Sequence, residues 1–296
     1  MLIDRRRLLQ AAAGSAAMAL VGTDPGRGDM EDVIVEPKDN VRLGLFQHVP
    51  KKWELEHNFA AFLEGLETAS AGGVELLITP ECQLDGYAAP DKESTRKRLF
   101  GIAQDIEDSQ YLNRVGREAK ARRMSIVFGF TQKEGNKLYN AAGLWDSSGD
   151  LVGVYHKTHI QTHDKQYDPG MSLPVFESPW GPLGIMICAD RRWPETARTL
   201  RLKGARLLLC PSYGLYHQAN EWWMRTRSYE NDCFLAFAHP KVGFVSDPQS
   251  GLVGKLENTD KGVLIVDVDL SIATWQTHLR DRRPDLYGPI CSSKRT

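Results

Sequence analysis

Three reactive side chains of different chemistry, Glu81, Lys157 and Cys188, each follow a stretch of sequence that is typical of a β-strand. In α/β proteins functional groups collect beyond the ends of strands, so we expect the carboxyl, the amine and the thiol to meet at one site. The carboxylate could take the thiol proton, the thiolate could attack a carbonyl-type carbon, and the ammonium could stabilise the oxyanion. The three residues therefore predict acyl transfer through a covalent intermediate on Cys188.

Each of these residues also has a structural interpretation. Glu81 could cap a helix, Lys157 could be a surface charge, and Cys188 could be a small buried apolar residue, as most free cysteines are. An apolar run ends at Cys188, however, and the Trp-Pro-Glu segment 193–195 suits the first turn of a helix. A thiol at this bend would lie near backbone N–H groups that can stabilise an oxyanion. With Lys157, we expect the N–H of Ala189 to be such a donor.

The elements that must position these residues follow from the spacing of apolar side chains. The patterns predict strands at 41–49, 74–79, 125–131, 138–146, 151–156, 183–187, 206–210, 233–239 and 263–269, and helices beginning near 55, 109, 194 and 221. Helices alternate with strands at both ends, and hairpin-like strands lie between them. This order predicts one α/β catalytic domain with a mixed sheet and outer helices.

The composition limits the classes of partner. The chain has 296 residues, of which 42% are hydrophobic and 25% charged, as in soluble globular proteins. A net charge of −1 gives no electrostatic reason to expect nucleic acid or an anionic membrane surface as a partner. The five cysteines contain no CxxC pair, so neither a zinc knuckle nor a thioredoxin-type motif is indicated. We expect a small-molecule substrate, no nucleic acid and no stable membrane insertion.

The two ends of the chain differ from the body. The basic segment 4–7 precedes an Ala-rich run that is too short to span a bilayer but suits the core of a signal peptide. Paired arginines before two leucines resemble a twin-arginine export signal. We therefore expect a signal peptide and linker at 1–28, a catalytic domain at 29–270 and a C-terminal arm at 271–296 that lies over a neighbouring subunit. Export to the periplasm or another extracytoplasmic space is expected; a frayed basic terminus on a cytoplasmic protein is the alternative.

Three segments in order resemble the signature segments of the nitrilase (carbon–nitrogen hydrolase) superfamily. They are Pro80-Glu81, the Tyr-His-Lys-Thr-His segment 155–159, and the Ile-Cys-Ala-Asp segment 187–190 with Pro194-Glu195. The helix at 225–231 resembles the Arg-x-x-x-Glu-Asn helix that follows in that family. This resemblance implies a four-layer αββα sandwich with mixed sheets and outer helices, assembled into homodimers or higher homo-oligomers. It also implies an enzyme that uses neither a metal nor an organic cofactor.

The Asp-Arg-Arg-Trp-Pro-Glu run 190–195 is similar to the corresponding run of N-carbamoyl-D-amino-acid amidohydrolases. There, the two arginines after the nucleophile hold the substrate carboxylate, so Arg191 and Arg192 are candidate substrate-binding residues. A guanidinium gives a planar, bidentate match to a carboxylate. Alternatively, either arginine could pair with Asp190 or Glu195 as a structural tie. The resemblance implies release of ammonia from a small carboxylate-bearing amide or N-carbamoyl substrate. An aliphatic amidase or nitrilase acting on a substrate without a carboxylate is the alternative.

One segment departs from the superfamily pattern. Members usually carry a second glutamate between the lysine and the cysteine, shortly before a Pro-Gly pair, but the segment 162–170 contains no glutamate. Asp164 is the nearest carboxylate and is expected to serve with a shorter reach. Counted back from Gly170, the position of the superfamily's second glutamate is occupied by His163.

Two rival functions use other residues. His156, His159 and His163 lie close to Asp164 and could bind zinc, although Lys157 lies among them and the spacing is not that of HExxH. An exported binding module would instead use an aromatic surface made of Tyr213, Tyr216, Trp222 and Trp223. Such residues more often pack in a core or a dimer interface.

Overall fold

The elements of the computed structural model follow from the apolar patterns of the sequence. The model describes residues 36–214, 218–257 and 259–292. In chain order, the helices and strands of these residues are β1 (Asn40–His48), α1 (Leu55–Ala71), β2 (Leu76–Ile78), α2 (Arg96–Ile102), α3 (Gln110–Arg122), β3 (Ser125–Glu134), β4 (Lys137–Trp145), β5 (Leu151–His156), β6 (Val175–Phe176), β7 (Leu183–Ile185), α4 (Pro194–Leu202), β8 (Leu207–Pro211), α5 (Ala219–Glu230), β9 (Phe234–His239), β10 (Val242–Ser246), β11 (Leu252–Glu257), β12 (Lys261–Asp269) and α6 (Thr277–Arg280).

The strands form two mixed sheets of six strands each. The first has the order β12-β1-β2-β3-β4-β5 and the second β11-β10-β9-β8-β7-β6. The strands β1, β2 and β3 of the first sheet and β7, β8 and β9 of the second, which are joined through helices, run parallel, and the strands on either side pair antiparallel. The sequence patterns alone predict a single mixed sheet; the structure has two.

Alternation along the strands builds the layers. Leu76 and Ile78 pack in the core between the two sheets, whereas Leu77 packs on the other face against α1 and α3. In the second sheet, Leu207 lies in the inner core and Leu208 faces α4 and α5. Each fully buried leucine contributes about 1.5–3 kcal/mol by removal of apolar surface from water. The result is a helix–sheet–sheet–helix sandwich, which confirms the fold implied by the resemblance.

Three strands, β6, β10 and β11, have no counterpart among the predicted strands. β6 has only two residues, which is too short for any period to be visible. β11 lies at the edge of its sheet, and Leu252 and Val253 are both exposed, so its apolar residues do not alternate with polar ones. An edge strand of this kind gives little sequence signal.

The functional strand ends belong to both sheets. Glu81 follows β2 and Lys157 follows β5 in the first sheet, and Cys188 follows β7 in the second. The backbone N–H of Glu81 donates to the carbonyl of Ser212, which follows β8, at 3.3 Å. This hydrogen bond ties the two sheets together at the edge where the reactive residues lie.

From Pro37 onward the described residues form one compact unit. The predicted signal peptide at 1–28 lies outside the described residues. The predicted arm is tied to the domain by Arg201 of α4, which donates to the carbonyls of Ala273 and Thr274. Three apolar side chains of the arm, Trp275, Leu286 and Ile290, are exposed. That the arm covers a neighbouring subunit remains a prediction. No helix in the described ranges combines the length and apolar character needed to cross a bilayer.

Candidate active site

The ammonium of Lys157 lies between two carboxylates. Its Nζ is 2.9 Å from Oε1 of Glu81 and 2.5 Å from Oδ2 of Asp164, and all three side chains are fully buried. Burial alone would lower the pKa of Lys157, but the charges of Glu81, Cys188 and Asp164 outweigh it and hold the pKa well above its ordinary value. Because buried charges are stable only when paired, the three groups form a single unit.

The Glu81 carboxylate has one engaged and one free oxygen. Oε1 accepts from Lys157 and also from Nδ2 of Asn140, at 2.7 Å. Oε2 is buried and has no hydrogen-bond partner among the described residues. A buried carboxylate oxygen that no other protein group engages can accept and return a proton.

Asp164 ends a short turn, Thr162–Asp164, and the carboxylate oxygen that does not contact Lys157 also accepts a hydrogen bond. The hydroxyl of Tyr87 donates to Oδ1 of Asp164 at 2.6 Å. Tyr87 has a left-handed backbone (φ 52°), an unusual conformation for a bulky residue. Its loop is fixed by Asp85, which accepts from the backbone of Ala88 and Thr131, and burial raises the pKa of Asp85 to about 6.

Cys188 begins the tight turn Cys188–Arg192, two residues beyond the end of β7. Its backbone is left-handed (φ 46°), a strained conformation of the kind that clusters at functional sites. Asp190 stabilises the turn by accepting from the backbone of Ile187 and the hydroxyl of Tyr155. The turn also contains Ala189, whose backbone N–H is the candidate oxyanion donor. Ala189 follows Cys188 in the chain and is buried.

The two adjacent arginines have different environments. Arg191 is 1% exposed; its Nη1 donates to Sγ of Cys188 at 3.1 Å, and its Nε and Nη2 donate to Oδ1 of Asn220. Within the described ranges, Arg191 forms no ion pair with a carboxylate. Arg192 is exposed and donates to Gln161 at 2.8 Å. The alternative tie of Arg191 to Asp190 is therefore not formed among the described residues.

The three histidines of the metal hypothesis have separate partners. His156 stacks on Tyr139 with ring centroids 3.8 Å apart, and His159 stacks on Trp193 and contacts Asp190. The side chain of His163 is about half exposed. In the part of the chain that the structure describes, no three His, Cys, Asp or Glu side chains are grouped as metal ligands.

The aromatic residues of the binding-module hypothesis are also dispersed. The ring of Tyr213 packs against Tyr87, with centroids 5.1 Å apart. Trp223 faces the Arg191 guanidinium at 5.9 Å, whereas Trp222 is exposed. Tyr216 lies outside the described residues.

Two contact residues, Tyr87 and Asn140, are not among the candidates that the sequence provides. Asn140 had one signal, since it is a polar residue in the middle of the apolar segment that forms β4. Tyr87 lies in a loop, where polar residues are common.

Comparison with known proteins places the chain in a family. A sequence model of the carbon-nitrogen hydrolase family matches residues 42–276. The chain belongs to the carbon-nitrogen hydrolase family. The family, part of the nitrilase superfamily, consists of enzymes that hydrolyse carbon–nitrogen bonds, so the predicted enzyme class is confirmed.

Individual relatives of this carbon-nitrogen hydrolase are distant but cover most of the chain. A nitrilase of Pyrococcus abyssi is 28% identical over 266 residues, which cover 83% of this chain and 99% of the relative. A citrullinase of Francisella tularensis is 25% identical over 285 residues, covering 85% and 98%. The structure of an amidase from Nesterenkonia AN1 superposes with a TM-score of 0.73 at 23% identity, covering 87% of this chain and 99% of that one. This last similarity concerns the fold.

Proposed function

We propose that this chain hydrolyses the amide or N-carbamoyl C–N bond of a small carboxylate-bearing substrate, through a covalent intermediate on Cys188, and releases ammonia. The observation that carries the proposal is the buried guanidinium of Arg191, which contacts the sulfur and has no carboxylate partner among the described residues. A buried cation is costly unless it is compensated. A substrate carboxylate bound to Arg191 would compensate the charge and lie close to the nucleophile.

The charges at the site favour proton transfer from the thiol. With Glu81 and Asp164 ionised and Lys157 and Arg191 protonated, these groups sum to zero while Cys188 is neutral. Moving the thiol proton to Oε2 of Glu81 leaves the sum unchanged. The resulting thiolate lies against the Arg191 guanidinium, which stabilises it.

The reaction then proceeds in two halves. The thiolate adds to the carbonyl carbon, and the ammonium of Lys157 with the N–H of Ala189 stabilises the oxyanion. Glu81 returns its proton to the departing nitrogen, so that ammonia leaves and a thioester or S-carbamoyl intermediate remains on Cys188. Glu81 next takes a proton from water, the hydroxide attacks the intermediate, and the proton returns to the sulfur as the product acid leaves.

Asp164 occupies the role of the second carboxylate in this scheme. Its shorter side chain still reaches Lys157, and Tyr87 holds it there. Asp164 thus fixes the ammonium from the side opposite Glu81. We assign it an orienting role and not a proton-transfer role.

The relatives support a carboxylate-bearing substrate only in part. Citrulline, the substrate named by the Francisella tularensis relative, carries both a ureido group and a carboxylate. If the substrate of this chain had no carboxylate, Arg191 would serve the thiolate alone. The two cases differ in how a substitution of Arg191 affects matched substrates.

Replacing Arg191 with methionine is expected to lower kcat/KM for carboxylate-bearing substrates by about 10²–10³-fold, because about two charge-assisted hydrogen bonds are lost. Ammonia release should be measured on matched pairs: succinamate with butyramide, and N-carbamoylglycine with methylurea. The wild type should prefer the acid of each pair, and Arg191→Met should abolish the preference.

The adjacent arginine gives a matched control. The proposal assigns substrate binding to Arg191 alone, because Arg192 is exposed and donates to Gln161. Arg192→Met removes the same charge from this exposed side chain, so kcat/KM should change by less than about threefold. Equal losses for both members of each pair in Arg191→Met would show that Arg191 serves the thiolate and would contradict a carboxylate-bearing substrate.

A further inference from the structure

Asn140 is a buried amide in β4 that contacts two of the three reactive residues. Its Nδ2 donates to Oε1 of Glu81 at 2.7 Å, and its backbone carbonyl accepts from the backbone N–H of Lys157 at 2.9 Å. We propose that Asn140 is a positioning residue, which holds the Glu81 carboxylate so that Oε2 alone exchanges protons with the sulfur, the leaving nitrogen and the water. This inference rests on the proposed function and names the atom through which it works.

The hydrogen bonds to the carboxylate select its reactive oxygen. Oε1 of Glu81 accepts from both Lys157 and Asn140, and Oε2 has no partner among the described residues. Protonation of Oε1 would oppose two donors, whereas protonation of Oε2 would oppose none. Lys157 alone would leave the carboxylate free to rotate about its bond to the ammonium; the second donor, from another strand, removes that freedom.

Asn140 also couples the carboxylate to the ammonium. Because the same residue binds the Glu81 side chain and the Lys157 backbone, the ends of β2 and β5 are held at a fixed separation through β4. Its own Oδ1 has no hydrogen-bond partner among the described residues, although the side chain is buried. An unpartnered buried amide oxygen is costly to stability. The proposed positioning role explains why an asparagine occupies this position despite that cost, because the Nδ2 of the same amide donates to Glu81.

The test uses iodoacetamide, which requires no knowledge of the substrate. The rate of alkylation of Cys188 is followed by peptide mass over pH 4–9 in the wild type, Asn140→Leu and Asn140→Asp. Loss of the donor favours the protonated form of Glu81, so the acid limb of the profile should move up by about one pH unit in Asn140→Leu. It should move further in Asn140→Asp, which places a second carboxylate beside the first. Exposed Cys291 in the same samples gives the reference rate.

Asn231 supplies a matched control for stability. It is also a buried amide whose Oδ1 has no partner among the described residues, but its Nδ2 donates to the carbonyl of Arg227. Asn231→Leu should lower the thermal midpoint without moving the Cys188 profile. Asn140→Ser, which keeps a shorter donor, should give a profile between those of the wild type and Asn140→Leu.

Two failures are distinguishable. If Glu81→Gln leaves the Cys188 profile unchanged, Glu81 does not take the thiol proton and the proposed function itself is overturned. If Glu81→Gln moves the acid limb of the Cys188 profile while the Asn140 variants keep the wild-type midpoint, only the positioning role of Asn140 is overturned.

Discussion

Replacing Glu81 with glutamine is expected to reduce the rate of ammonia release by about 10⁴-fold, because the carboxylate transfers protons in both halves of the reaction. The two side chains have nearly the same shape, so the sandwich should remain folded. Lys157 keeps its second partner, Asp164, at 2.5 Å. The loss should therefore fall on turnover and not on stability.

The measurement is kcat for ammonia release together with the intact mass of the enzyme. Glu118→Gln provides the comparison, since Glu118 is also buried and pairs with Arg114 and Arg122 on α3. That change should lower the thermal midpoint and leave kcat within about twofold, as expected for an independent site. Activity of Glu81→Gln within tenfold of the wild type would show that another group moves the protons.

Replacing Lys157 with methionine is expected to have a double effect. Two buried carboxylates, Glu81 and Asp164, lose their shared cation, and removing one partner of a buried ion pair costs about 3–5 kcal/mol of unfolding free energy. One carboxylate must then take up a proton, and the oxyanion loses its charged donor. We expect turnover to fall by about 10⁴-fold or more. Urea unfolding and ammonia release measure the two losses.

The double variant Lys157→Met/Asp164→Asn separates stability from catalysis. Neutralising Asp164 removes one of the two unpaired carboxylates and leaves only Glu81, so about half of the lost unfolding free energy should return. Turnover should not return, since the ammonium is still absent. Recovery of activity with stability would mean that Lys157 acts only by holding the fold.

The contact between Glu81 and Lys157 could be anticipated because both residues, like Cys188, follow an apolar strand. Local patterns locate such strands well, and strand ends gather at sheet edges. The division into two sheets could not be anticipated from them. Pairing is decided by contacts between distant segments, and only the resemblance to a known superfamily implied four layers. The roles of the three residues stay predictions until variants are measured.

The residues around the three reactive groups were less accessible to sequence reasoning. Asn140 lies 59 residues from Glu81 in the chain, and Tyr87 lies 77 residues from Asp164, so no local pattern links them. Arg191 and Arg192 are neighbours with the same chemistry. The tight turn after Cys188 buries the first and exposes the second, and that difference depends on backbone geometry that the residue types do not encode.

The most direct test of the thiol-based reaction is ammonia release by the wild type and by Cys188→Ala. The panel should contain the matched amide and N-carbamoyl pairs, with folding of the variant checked by its thermal midpoint. We expect release from the carboxylate-bearing compounds by the wild type and none above background by Cys188→Ala, at an unchanged midpoint. Comparable release by the two proteins would contradict a covalent intermediate on Cys188.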